Sequence, residues 1–268
     1  MLKNNTRVHA DPAAVWLVMA AAILQIAATS LPALGIGEPI GSQSDEVRSL
    51  VTPAGWAFSI WGPLFAGSIV FAVYQALPAQ RYSELLARLR WPAAGAFLGN
   101  ALWALYTQFF GLSAISALVI IFTLVCLART YRVFASWEPA FSRRQRWLVV
   151  LPLSALAAWL TAATIVNISA SLRYHGVDAG EEGPLIAAGV VLTGGIIASL
   201  ALARGRGNPP YALVFLWALA AIYAAGGQRA ELVAGAALVA AGLVVVGTAI
   251  GLKSAGLRRW FGSSTGNP

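Results

Sequence analysis

Tryptophan and asparagine side chains recur at helical spacing inside two long apolar runs of the sequence. Asn100 and Trp103 are three residues apart, and Trp159, Ala163 and Asn167 follow one another at intervals of four. Residues three and four apart share one face of a helix, so each set predicts a single stripe. An indole N–H or an amide deep in a membrane needs a hydrogen-bond partner, which favours a position facing protein or a ligand over one facing lipid.

A third stripe of this kind, Phe58, Trp61 and Phe65, follows Trp56 in an earlier apolar run. Together the stripes predict an aromatic cavity under the connection formed by residues 35–55, with Trp56 and that connection as its gate. The alternative interpretation is that the amides only join neighbouring helices, and both interpretations stay open.

Ionisable groups are missing from the middle of the apolar runs. All ten acidic residues and both histidines lie in or beside the connections. Pumps and ion-coupled carriers keep an ionisable group at mid-depth, and intramembrane proteases need paired Asp, a Ser with a base, or HExxH. The pattern therefore disfavours an active ion transporter and an ordinary hydrolase. The one cysteine, Cys126, excludes a disulfide within the chain, and no metal site is predicted.

Membrane-spanning helices must hold these stripes. The 268 residues are 59% hydrophobic and 10% charged, with a mean hydropathy of +0.72, whereas a soluble domain carries roughly 25% charged residues. Prolines such as Pro92 mark the edges of the runs, and the runs lack the alternation of a barrel strand. We predict an all-α, polytopic transmembrane bundle with about eight spans. The predicted spans are residues 13–34, 56–77, 91–110, 112–134, 146–172, 184–203, 210–228 and 232–252.

The distribution of basic residues predicts how the bundle is oriented. With eight spans, every one of the 18 Lys and Arg residues except Arg48, Arg173 and Arg229 falls at the end that holds both termini. Basic residues gather on the cytoplasmic side, so both termini are predicted to be cytoplasmic, in a bacterial inner membrane. The net charge of +8 then reflects loops beside anionic lipid, and no nucleic-acid partner is expected. The first run is expected to be a retained helix, because it is longer than a usual signal-peptide core.

Three segments resemble motifs of the tryptophan-rich sensory protein family (TspO/MBR), whose members are also called translocator proteins or peripheral benzodiazepine receptors. Residues 53–61 resemble the family's proline–tryptophan entry into the second helix. Residues 100–111 resemble its N-x-x-W…F-F-G third helix, and residues 151–167 resemble the P…W…A…N pattern of its fifth helix. The resemblance covers about residues 10–172.

The chain departs from the family pattern in two motif positions and in its length. Only Pro53 stands where the family usually has two adjacent prolines, and Trp61 comes about one residue early. The last three predicted helices have no counterpart in the short family members. We therefore expect an extended form, in which residues 1–172 make a five-helix core and residues 173–268 add three spans packed on the core or on a partner.

The resemblance implies binding of a flat hydrophobic ligand by a sensor, carrier or regulator. The ligand would be a porphyrin or other tetrapyrrole, or a sterol- or isoprenoid-like lipid. No obligatory cofactor and no catalytic residue is expected. Expected partners are membrane lipids, the apolar small molecule, and a second copy of the chain or a larger membrane complex. The expected ligand-binding residues are Trp56, Phe58, Trp61, Phe65, Asn100, Trp103, Trp159, Ala163 and Asn167.

Three other functions stay open at this point. The chain would be a structural or assembly subunit if its extra helices dock on a larger membrane complex. Light-dependent breakdown of tetrapyrroles is suggested for the family, with tryptophans donating electrons or hydrogen, but the sequence shows no acid–base constellation for it. A small passive transporter of another kind is the last alternative.

Overall fold

The protein is a bundle of long helices. The computed structural model describes residues 10–253 and 257–261, and in these residues the secondary structure is helical with no strand, which confirms the predicted all-α fold. We number the eight long helices α1 to α8. They are α1 (Pro12–Ser30), α2 (Trp61–Ala76), α3 (Glu84–Phe110), α4 (Ala114–Ser136), α5 (Leu151–Tyr174), α6 (Gly183–Arg204), α7 (Pro209–Ala225) and α8 (Glu231–Gly251).

Short helical turns connect the long helices. The one at Ile40–Glu46, between α1 and α2, is called the loop helix below. A π-helical turn at Arg146–Val150 leads directly into α5. The other short elements are Leu31–Leu34, Gly55–Ile60, Pro78–Gln80, Arg143–Gln145, Gly180–Glu182, Gly226–Gln228 and Leu257–Phe261.

Among the described residues, seven helical stretches are long and apolar enough to cross a membrane, and α3 is the long helix outside that set. It carries Asn100 and Gln108, both only 1% exposed, because α1 and α4 flank it on either side. Polar side chains that neighbouring helices shield from lipid can be accommodated in a membrane-spanning helix. The sequence placed the start of this span at residue 91, but α3 begins at Glu84 and runs through Pro92. The prediction that Pro92 marks a helix edge was therefore wrong.

Side-chain caps and one glycine set the ends of several helices. The Asp11 carboxylate accepts a hydrogen bond from the Ala13 N–H at 3.0 Å at the start of α1, and Asn208 caps α7. Gly111 ends α3 with φ of +73°, a conformation that residues with a side chain rarely adopt. Only residues 111–113 then separate α3 from α4, as the tight hairpin requires.

The last three long helices pack closely on each other and on the first five. Among these three helices, α6 and α8 form the most extensive contact. Helix α7 packs on α5, which belongs to the first five. Tyr211 of α7 donates its hydroxyl hydrogen to Thr161 of α5 at 3.1 Å. One set of buried hydrophobic residues extends from Val18 to Trp260. The division of the chain at residue 172 stays a prediction, and the packing across it is continuous.

The basic residues used to predict the orientation differ in their structural setting. Lys3 and Arg7, and the side chain of Arg258, lie outside the described residues. Arg90, which the sequence assigns to a loop, is instead buried in α3 with 1% of its surface exposed. The other end of the bundle, where α1 leads into α2 and α3 turns into α4, carries Arg48, Arg173 and Arg229.

Candidate ligand-binding cavity

An apolar cavity of about 50 Å³ lies at the end of the bundle where α1 leads into α2 and α3 turns into α4. We call it the aromatic cavity. Helices α2, α3 and α5 each place at least one predicted site residue in its wall. Its lining residues are Ile40, Ser44, Pro53, Phe58, Trp61, Trp103, Leu112, Trp159, Ala162, Ala163, Val166, Asn167, Ala218 and Ile222.

Three tryptophans from three helices meet in the cavity wall. Trp61 is the first residue of α2. Its ring lies roughly parallel to that of Trp103 in α3, with the centroids 6.4 Å apart and an angle of 26° between the ring planes. Trp159 of α5 stands edge-on to Trp61 at 6.1 Å and 87°. These separations and angles are in the favourable range for aromatic pairs. The one-residue displacement of Trp61 in the sequence therefore does not remove it from the wall.

The other aromatic residues of the predicted stripe occupy different positions. Phe58 lines the cavity and contacts Trp159 edge-on, with centroids 6.2 Å apart. Phe65 stacks on Trp61 at 5.2 Å but does not line the cavity. Trp56 also lies outside the wall; it is 47% exposed and packs edge-on against Trp217 at 4.7 Å.

Three N–H donors in the cavity wall have no hydrogen-bond partner among the described residues. They are Nε1 of Trp103, Nε1 of Trp159 and Nδ2 of Asn167, on side chains that are 6%, 3% and 3% exposed. The Asn167 oxygen accepts a hydrogen bond from the Ser116 hydroxyl at 3.1 Å, which holds the amide in place. A buried donor without a partner costs about 1–3 kcal/mol. An acceptor placed in the cavity would remove that cost.

Asn100 is placed differently from Asn167. Its Nδ2 donates to Oε1 of Gln25 in α1 at 3.1 Å, and it is not part of the cavity wall. A second amide on α3, that of Gln108, donates to the Ala28 carbonyl of α1 at 2.9 Å. Both bonds tie α3 to α1, which is the helix-joining role that the sequence left open.

The connection between α1 and α2 covers the cavity, and α7 completes its wall. Ile40 and Ser44 of the loop helix and Pro53 line the cavity from the connection. Ala218 and Ile222 contribute from α7. Sequence reasoning included the connection but missed the α7 residues, along with Leu112, Ala162 and Val166. Small and aliphatic side chains carry no chemical signal in the sequence, and only packing reveals that they face the cavity.

Among the described residues that line the cavity none is ionisable, and their polar groups are indole, amide and hydroxyl. Among residues 10–253 and 257–261, no group of three or more His, Cys, Asp or Glu side chains is placed to hold a metal ion. The wall can therefore offer aromatic surface and hydrogen-bond donors to a bound molecule.

Long apolar helices around a cavity lined by tryptophans define the class of this molecule as an α-helical polytopic integral membrane protein. The model of the TSPO-like protein family matches residues 13–250, so the chain belongs to that family. The match extends through α6 and α7 and nearly to the end of α8, and it includes the helices that supply Ala218 and Ile222. No curated protein and no solved structure matches the chain.

Proposed function

We propose that this protein binds a flat, apolar ligand that carries a hydrogen-bond acceptor, and that it acts as a sensor, carrier or regulator. The supporting observation is the meeting of Trp61, Trp103 and Trp159 around one cavity whose wall also holds three unpaired N–H donors. Ring faces supply dispersion and stacking, and the donors fix the orientation of a polar group on the ligand.

The chemistry of the wall suits both of the expected ligand classes. A porphyrin or another tetrapyrrole is flat and carries carboxylate acceptors, while a sterol-like lipid offers a hydroxyl oxygen. Either would complement the donors of Trp103, Trp159 and Asn167. Because no described residue of the wall supplies a cation to pair with a carboxylate, the affinity for the ligand would come from apolar contact and neutral hydrogen bonds.

We propose that the structure is a closed form, because the aromatic cavity is small. A drug-sized ligand occupies a pocket of roughly 300–1,000 Å³, whereas this cavity measures about 50 Å³. We propose that the loop helix moves to admit the ligand, because Ile40 and Ser44 form the cover. Backbone hydrogen bonds flank this segment, from Glu38 N–H to the Gln108 carbonyl at 2.9 Å and from Ala54 N–H to the Ala221 carbonyl at 3.0 Å.

The experiment is a titration of the detergent-purified protein with protoporphyrin IX, followed by the porphyrin's own absorbance. Trp103→Leu and Trp159→Leu are each expected to weaken the affinity by about tenfold, since each removes a ring face and an N–H donor. Trp147→Leu is the matched control, because Trp147 is 63% exposed and lies outside the cavity wall.

Saturable binding that is lost only in the cavity variants would support the proposal. Equal affinity in the wild type, Trp103→Leu and Trp159→Leu would remove the aromatic cavity as the site. If the wild type does not bind protoporphyrin IX saturably, the tetrapyrrole class of ligand fails. The role of an assembly subunit then becomes the better hypothesis, and copurification of stoichiometric partners in mild detergent tests it.

We also propose that the cavity faces away from the cytoplasm of a bacterial inner membrane. The cavity end carries few basic residues, as expected for the side opposite the cytoplasm. Because the only cysteine of the sequence, Cys126, is buried, Glu181→Cys and Arg143→Cys can report the two ends separately. A membrane-impermeant maleimide added to intact spheroplasts should label Glu181→Cys and leave Arg143→Cys unlabelled; the reverse pattern contradicts the orientation.

A further inference from the structure

Arg90 is a buried cation at the opposite end of the bundle from the aromatic cavity. Its side chain is held by carbonyl oxygens near the end of α2. Its Nε donates to Oε1 of Gln75 at 2.9 Å, and its Nη2 donates to the backbone carbonyls of Gln75 and Gln80, both at 3.1 Å. Hydrogen bonds therefore fix one edge of the guanidinium group, while the Nη1 donor has no partner among the described residues.

No carboxylate in the described part of the chain forms an ion pair with Arg90. The acidic residue nearest in sequence, Glu84, pairs with Arg88 at 2.5 Å, and Asp11, whose neighbours in the chain lie close to Arg90, caps α1. The first nine residues of the sequence contain no Asp or Glu. A buried charge without a counter-ion is strongly unfavourable, so the site calls for an anion from outside the chain.

A groove of about 420 Å³ lies beside Arg90, between the start of α1 and the end of α2. We call it the Arg90 groove. Arg81 also lines this groove, and none of the described residues in its wall is acidic. Trp16 stands at the groove and is 71% exposed, as expected of an indole at the membrane interface. Gln75 also lines the groove, and most of the remaining wall is apolar, with Val15, Ala76 and Leu77 among its residues.

We propose that the Arg90 groove binds a phosphate group, the headgroup phosphate of an anionic phospholipid or the phosphate of a free solute. Arg90 and Arg81 would donate to the phosphate oxygens, as guanidinium groups do in phosphate sites. The apolar residues and Trp16 would contact the glycerol and the upper acyl chains of a lipid. Anionic lipids are concentrated on the cytoplasmic side, and the orientation proposed above puts this end of the bundle there.

The test uses the full-length protein in mild detergent. Native mass spectrometry compares retention of palmitoyl-oleoyl phosphatidylglycerol with retention of phosphatidylcholine that has the same chains. A second arm measures thermal unfolding in sodium phosphate and in sodium chloride at equal ionic strength. The variant is Arg81→Gln, because Arg81 is exposed and its tie to α1 is a backbone bond, from Ala10 N–H to the Arg81 carbonyl at 2.8 Å. Arg90 itself also joins α2 to α3, so its substitution would mix folding with binding.

Arg132→Gln is the matched control, since Arg132 is an exposed arginine near the end of α4 and lies outside the groove. We expect the wild type to prefer phosphatidylglycerol, Arg81→Gln to lower that retention about fivefold, and Arg132→Gln to leave it unchanged. Stabilisation by inorganic phosphate that Arg81→Gln removes, without a lipid preference, would identify a free phosphate as the ligand. No lipid preference together with no effect of phosphate would overturn the proposal. Equal losses in the two variants would also overturn it.

Discussion

The contact between α6 and α8 and the aromatic cavity show two opposite ways of packing helices in this protein. At the first, Gly195 lies against Ala240, where an added Cβ would come within 2.5 Å of the alanine Cβ. At the second, the large rings of Trp61, Trp103 and Trp159 lie around a space, with the Trp159 ring edge-on to that of Trp61. Small residues allow two helix backbones to come into direct contact, whereas large aromatic side chains keep the helices further apart. We infer that the α6–α8 contact provides stability and that the cavity provides a site.

Gly195→Ala is the change that should disturb the close contact most. The new Cβ would also lie 2.8 Å from the Ala240 Cα, so one backbone must shift. Overpacking of this kind costs about 1–3 kcal/mol and should lower the thermal unfolding midpoint in detergent. Gly189→Ala in the same helix is the control, because an added Cβ there meets nothing within 4 Å. Equal midpoints for the two variants would show that the α6–α8 contact tolerates expansion.

Asn100→Ala should reduce stability and leave ligand affinity unchanged. The substitution removes the bond to Gln25 and leaves the Gln25 amide without that partner. An interhelical hydrogen bond in a membrane protein contributes about 0.6–2 kcal/mol, which sets the expected loss. Thermal unfolding and the protoporphyrin IX titration are both measured on this variant. A large loss of affinity with an unchanged midpoint would place Asn100 in the site and contradict its assignment as a link to α1.

Asn167→Ala should reduce ligand affinity, and it should lower stability less than Asn100→Ala does. The Ser116 hydroxyl keeps a second acceptor, the Ser113 carbonyl at 2.7 Å, when the Asn167 oxygen is removed. The unpaired Nδ2 donor disappears from the cavity wall, so affinity for protoporphyrin IX should fall about fivefold, the effect of one neutral hydrogen bond. An unchanged affinity would mean that the ligand does not use this donor. The proposal that the ligand carries an acceptor would then depend on the indole donors of Trp103 and Trp159.

Much of the cavity wall could be predicted from helical periodicity. Trp159, Ala163 and Asn167 share one face of α5 because they are four residues apart, and all three line the cavity. The same spacing rule groups Asn100 with Trp103 on α3, yet only Trp103 faces the cavity. A helical face is wide enough to contact two neighbours, and periodicity alone does not say which neighbour each residue meets.

The contribution of α7 to the site was not predictable from the motifs. Ala218 and Ile222 are ordinary residues of an apolar span, and the resemblance covered only residues up to about 172. Their place in the wall follows from the packing of α7 on α5 and from the hydrogen bond between Ala54 and Ala221. Arg90 is a similar case, because its burial depends on carbonyl groups of α2 that become available only when the helices meet.

The sequence by itself determined that this chain spans a membrane through helices and that its aromatic and amide residues form stripes on three of them. Hydrophobic length and the 3.6-residue period of the helix are local properties, which a sequence expresses directly. Only the tertiary structure decided that Asn100 binds Gln25 while Asn167 faces the cavity, that α7 closes the wall, and that Arg90 is buried without a carboxylate partner in the described part of the chain. These outcomes depend on the rotation and depth of each helix against its neighbours, which packing sets for all helices together.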